Sequence, residues 1–192
     1  MAVVWVGKDG RRTKETFSRP MVDVTSWSNG WGQELSPFLL GPVPLYDGRE
    51  ACLMENAWQY SKVYGRHDAG GKPGKAYWEW AEAGWASNRP VRYPMGRGAV
   101  PAYSWWDGRK LDYVQARKII YAPSYAKLAQ ETEAFKKLQK LYEEGGVWLS
   151  DFDVYDYQPM GMSLKDVIEC TSRKCGHGFI LAMMLKGERV WE

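Results

Sequence analysis

Cysteine is scarce in this 192-residue chain: Cys52, Cys170 and Cys175 are the only three. Three thiols cannot build a disulfide framework. Cys170, Cys175 and His177, with Cys52 as a fourth ligand, fit no common zinc signature, so reduced, buried cysteines are the plainer use and no metal is expected. A run of 18 apolar residues is also absent, which excludes a transmembrane helix and a membrane partner from the expectations. The start, Met1 to Val6, lacks a basic leader and a cleavage site, and a cytoplasmic location is expected. Lys and Arg are spread through the chain and the net charge is only +3. No long basic run therefore marks a duplex-DNA footprint, although individual phosphates remain within reach. The glycines of residues 65–74 are not followed by the Lys-Ser/Thr of a P-loop, so the nucleoside-triphosphate reading fails on its own motif.

What the chain does have is aromatic surface, with 11 Trp and 12 Tyr against 5 Phe. These rings keep a polar handle and suit both cores and pockets that stack on planar ligands. Hydrophobic residues make up 45%. At this length one domain over residues 1–192 is expected, burying about 70% of its unfolded surface. Nothing marks an internal repeat, a low-complexity segment or a second domain.

The periodicities predict an α+β fold, predominantly helical with a few short strands. Val3 to Val6 reads as a strand that Lys8-Asp9-Gly10 turns back into residues 11–17. Residues 26–48 read as a long ordered loop or a set of very short strands, residues 50–64 as a helix, and residues 65–74 as a mobile surface loop or lid. A short helix over 75–86 and irregular chain over 87–108 follow. Helices are expected over Lys110–Tyr121 and, after Pro123, over 124–143. Residues 147–152 read as a strand, Ser163 to Asp166 as a capping box, and Gly178 to Leu185 as a buried helix.

Chemistry concentrates in two places. On the 50–64 helix, Glu55, Gln59 and Lys62 fall at i, i+4 and i+7, so their polar heads share one face. Trp58, Tyr60 and Tyr64 flank that face, which suggests that it looks into a pocket. The second place is Asp151, Asp153 and Asp156, interleaved with Tyr155 and Tyr157 at a strand exit. Carboxylates beside rings suit a transition state with oxocarbenium character, one stabilising charge and another activating water. Turn formation and capping are the plain use of these aspartates, and Asp-x-Asp is also a magnesium pattern.

The run Leu35-Ser36-Pro37-Phe38, then Asp47-Gly48, then Glu55-Asn56-Ala57-Trp58-Gln59-Tyr60-Ser61-Lys62, resembles the NADAR family, related to bacterial YbiA. The order continues with Trp105-Trp106, with Leu149-x-Asp151 and Asp156 five residues on, and with Gly176-x-Gly178 before an apolar run. The resemblance spans roughly residues 26–187. It implies a YbiA-like fold and an N-glycosidase that cleaves between a base-like amine and a ribosyl group, in riboflavin-pathway intermediates or ADP-ribosylated nucleobases. Carried over, the functional glutamate falls on Glu55, the tryptophan on Trp106 or Trp105, and the aspartate on Asp156. Gln59, Lys62, Trp105, Asp151 and Tyr157 are then expected to bind substrate. The substrate is a ribosyl or ADP-ribosyl small molecule, free or carried on nucleic acid, and no cofactor is required. Two departures stand out: the family's His after the glutamate is Asn56, and its Trp-Gly after the aspartate is Tyr157-Gln158. They motivate the alternative of a catalytically inactive ADP-ribose or nucleotide-binding module.

Overall fold

Strand β8 (Val147–Ser150) is buried at all four positions, because it is the middle strand of a three-stranded parallel sheet. A computed structural model of the protein describes residues 2–8 and 18–192. Asp9 and Gly10 of the turn expected at Lys8-Asp9-Gly10, and its return over 11–17, lie outside the described residues. The chain divides into two units, Met1–Ser36 with Tyr125–Glu192, and Pro37–Ser124.

In the first unit β1 (Val4–Gly7) and β2 (Met21–Asp23) flank β8, with Val4 opposite Val147 and Val22 opposite Leu149. A terminal helix (α7, His177–Lys186) packs on β1 and β8. Phe179, Ile180, Leu181, Ala182 and Met183 on it are fully buried, as expected for a helix that is apolar all round. Ahead of it, α6 (Leu164–Glu169) opens on the expected capping box: the Ser163 hydroxyl accepts the Asp166 N–H and the Asp166 carboxylate accepts the Ser163 N–H. The helix expected over 124–143 is two helices, α4 (Ala122–Ala129), within which the unit boundary falls, and α5 (Glu133–Glu143). Thr132 divides them. Its hydroxyl donates to the Ala129 carbonyl at 2.7 Å and accepts the Phe135 N–H at 3.0 Å, closing one helix and capping the next.

In the second unit β3 (Val43–Pro44) pairs antiparallel with β4 (Glu50–Ala51), and the helix expected over 50–64 is confined to α1 (Met54–Gln59). Its last carbonyls are claimed by side chains: the Ser61 hydroxyl donates to the Trp58 carbonyl and the Tyr77 hydroxyl to the Tyr60 carbonyl. Freed from the helix, Lys62 and Val63 form β5 (Lys62–Val63) against β6 (Tyr103–Trp106), which pairs in turn with β7 (Arg109–Leu111). The expected helix start at Lys110 is therefore a strand, and residues 103–106 are not irregular. Asp107-Gly108 is a two-residue hairpin turn, with φ of 47° and 75° at the two positions. The helical residues that follow, α3 (Tyr113–Ala116) and a π turn (Arg117–Tyr121), run through Pro123 without a break. The Ala122 N–H reaches back five residues to the Arg117 carbonyl, a widening that accommodates a proline without an N–H. The loop at 65–74 is tied down: both Asp68 oxygens accept the Gly71 N–H, Tyr103 donates its hydroxyl to Asp68, and the Gly74 N–H bonds the His67 carbonyl. Those bonds hold the Asp68 carboxyl below the usual carboxylate range, Tyr103 contributing most.

The Trp and Tyr excess fills the core around α2 (Lys75–Trp85). Tyr77 and Trp85 are essentially inaccessible, and Tyr60 and His67 each lie 4.6 Å from the Trp80 ring. Gly84 is the close approach in this packing, since a Cβ there would meet the Tyr60 ring at 2.1 Å. Alanine gains about 1 kcal/mol of helix propensity over glycine. Displacing a caged ring costs about 1–3 kcal/mol or more. Gly84→Ala is therefore expected to lower stability, and a thermal midpoint at or above wild type would contradict the packing. Burial, with Arg66 as a lesser cause, pushes the His67 imidazole below its ordinary value. The unfolded chain then takes up the proton first, so stability is complete above about pH 6.5 and falls on acidification below it. His67→Phe is expected to flatten that acid-side fall in a pH series of denaturant titrations.

Candidate functional site

Helix α1 starts without a side-chain cap, because its first N–H groups are met by backbone carbonyls. The Met54 N–H bonds the Leu40 carbonyl and the Glu55 N–H the Pro37 carbonyl, both at 2.8 Å. The Ser-Pro-Phe-Leu-Leu run before it thus sets the helix that carries Glu55. Glu55 is only 6% exposed and Gln59 8%. The Gln59 amide donates to Glu55 Oε1 at 2.9 Å, and Gln59 Oε1 accepts from Lys62 Nζ at 2.7 Å. The two bonds fix the amide orientation: nitrogen to the carboxylate, oxygen to the ammonium. The three residues expected to share a face are joined in one relay, although Lys62 stands on β5 and not on the helix.

Rings and cations surround that relay. Lys62 Nζ lies 4.7 Å from the Trp58 ring, and the Trp58 ring lies 6.4 Å from that of Tyr113. Over Tyr113, at 4.1 Å, sits the guanidinium of Arg117, a residue only 2% exposed. Each of two neighbouring rings therefore carries a cation on its face. Arg117 has no counterpart among the residues expected from sequence. Its position in a π turn is a feature frequent at functional sites, but periodicity does not reveal it. Trp106 and Trp58 pack, half-buried, on the same cluster of Leu111, Ala116 and Ile120. Trp105 points to the other face of β6 by strand alternation, opposite Lys110.

Asn56, where the family pattern has His, is fully buried and has its own structural task. Its amide donates to the Ser87 and Arg89 carbonyls at 3.0 and 2.9 Å, and its oxygen accepts the Val91 N–H at 3.0 Å.

The remaining expected residues belong to the other unit. Asp151, 4% exposed, accepts the Phe152 N–H through Oδ1 at 2.6 Å and the Gly178 N–H through Oδ2 at 3.0 Å. The same Oδ2 lies 3.3 Å from His177 Nδ1, whose Nε2 is 2.7 Å from the Val24 carbonyl. Asp153 faces Lys174 at 3.2 Å. The Asp156 carboxylate lies over β1, where a side chain at Gly7 would meet its Oδ1 at 2.7 Å. Tyr157 is buried, edge-on to Phe179 at 5.8 Å, and burial with the nearby Glu188 pushes its phenol up to about 12. Among the described residues no group of three or more His, Cys, Asp or Glu is placed to hold a metal ion, and no helix is long and apolar enough to cross a membrane. In comparisons with known proteins, no family model, no curated protein and no solved structure matches this chain.

Proposed function

We propose that the protein is an N-glycosidase acting on a ribose-phosphate or ADP-ribose conjugate, with Glu55 as the charge-stabilising group. The observation that carries this reading is the buried Glu55 carboxylate, held by Gln59 in a relay that ends on Lys62 beside Trp58. In hydrolysis the bond from the anomeric carbon to the base nitrogen breaks and its electron pair leaves with the base. Water then bonds to that carbon and gives up a proton, and the departing base nitrogen takes one up. A fixed carboxylate stabilises the cationic sugar between those events, and it costs no reorganisation because its partner is already in place. Lys62 and Arg117 supply positive charge suited to the phosphates of such a conjugate. Trp58 and Trp106 are the indoles suited to a planar leaving group. For Asp156 the resemblance to the NADAR pattern implies the water-activating role, which Asp156→Asn tests on its own.

A second reading, a binding module without turnover, is favoured by one observation: Asn56 spends its whole side chain on the 87–91 backbone and offers no acid or base. Incubation with N-ribosyl phosphates and ADP-ribosylated nucleobases separates the two by mass spectrometry beside calorimetry. Release of the free base by wild type, and none by Glu55→Ala, is the expected result. Binding without a new mass selects the module, and neither binding nor product ends both readings.

A further inference from the structure

Residues 83–106 contain three arginines, Arg89, Arg92 and Arg97, and no Asp or Glu, so this segment carries +3, equal to the net charge of the whole chain. Two of them, Arg92 and Arg97, converge on one ring. The guanidinium of Arg92 lies 5.5 Å from the centroid of Tyr93, and that of Arg97 lies 5.7 Å from it. Two consecutive turns bring this about. The Gly96 N–H bonds the Tyr93 carbonyl across Pro94-Met95, and the Ala99 N–H bonds the Gly96 carbonyl across Arg97-Gly98. Gly98, with φ of 88°, takes the left-handed conformation that folds Arg97 back towards Tyr93. Tyr93 is 39% exposed, and Arg89 and Arg97 are exposed.

The loop is presented on a fixed frame. Asn56 grips its first residues at the Ser87 and Arg89 carbonyls and the Val91 N–H. At the far end the Ala102 N–H bonds the Val63 carbonyl of β5 at 2.8 Å. Bringing like charges to one accessible ring is favourable in the presence of a polyanion that also offers flat faces. A single-stranded nucleic acid has both, phosphates for the guanidiniums and unpaired bases for the ring. A duplex hides its base faces in the stack, and the carboxylates of an acidic peptide do not themselves stack on the phenol ring.

We infer that Arg92, Tyr93 and Arg97, with the exposed Arg89 on the same tethered segment, form a docking site for single-stranded nucleic acid. The inference concerns binding and stands whether or not the protein turns over an N-glycoside. Its test is fluorescence anisotropy of the full chain with a labelled, mixed-sequence DNA strand of about 15–20 nucleotides. Affinity is expected to fall as salt rises from about 50 to 200 mM, the logarithmic slope reporting about 0.7 per phosphate contacted. The double variant Arg89→Glu with Arg97→Glu, at exposed positions, is expected to keep the wild-type melting temperature, to weaken binding at least about tenfold and to flatten the slope. Tyr93→Ala is expected to lose about fivefold to a hundredfold while Tyr93→Phe keeps wild-type affinity. The inference is overturned by salt-insensitive or absent binding to the wild type, or by wild-type affinity in the double variant. Equal affinity for duplex DNA or a mononucleotide, or a preference for phosphatidylserine vesicles, overturns it as well.

Discussion

Glu55→Gln is expected to lower turnover of an N-ribosyl substrate by about 10²–10⁴-fold while leaving the melting curve in place. The expectation rests on what the substitution keeps and what it removes. The glutamine carbonyl oxygen still accepts from the Gln59 amide, so the relay to Lys62 at 2.7 Å persists and the side chain keeps its volume. The negative charge goes, and one carboxylate oxygen becomes an amide nitrogen. A loss of that size corresponds to about 3–5 kcal/mol of transition-state stabilisation, far more than any packing change in an isosteric exchange. Glu55→Ala is the contrasting case. It removes charge and acceptor together, leaves the buried Gln59 amide without its partner, and is expected to lower stability by about 1–3 kcal/mol as well. If Glu55→Gln turns over at the wild-type rate on a substrate the wild type cleaves, Glu55 does not stabilise the reacting sugar.

Where a physical cause is local in sequence, the fold was legible. The Ser163 capping box closes over three residues, and the terminal helix is apolar on every side, so both were visible without coordinates. The same holds for Glu55 and Gln59, one turn apart. The failures share a distant partner. Nothing within residues 50–64 announces that Tyr77 will take the Tyr60 carbonyl, or that Val63 will pair with Tyr103, and those two facts end the helix early. Asn56 reads as a lost histidine until its three partners, 31 to 35 residues away, are seen. Asp107-Gly108 differs in kind, because Asp-Gly is itself a local hairpin signal, although residues 87–108 read as irregular. Arg117 carries no signal at all: a buried guanidinium over a ring follows from packing, and a lone arginine on a helix ordinarily implies solvent.

Asp151→Ala is expected to cost about 3–5 kcal/mol of stability, because it strips the partners from the start of α7. Two backbone N–H groups, of Phe152 and Gly178, lose their acceptor, and the buried His177 loses the group facing its Nδ1. The proton inventory makes the site stricter than three separate contacts. His177 Nε2 faces a carbonyl, so it carries a hydrogen to bond there, and the Asp151 Oδ2 that accepts the Gly178 N–H is also the atom that faces Nδ1. Asp151→Asn cannot meet all these demands. With its oxygen towards Gly178, its amide points at the Phe152 N–H; with its nitrogen towards His177, the Gly178 N–H faces a donor. One bond is lost in either orientation, so Asn is expected to cost about 1–3 kcal/mol, between wild type and Ala. Denaturant titrations of the three proteins give the order directly. Asp151 was also expected to bind substrate, and the two roles separate in the data. An anchor of α7 changes the unfolding midpoint, whereas a ligand contact changes KM with the midpoint intact. An Asp151→Ala protein within about 1 kcal/mol of wild type would remove the anchor role.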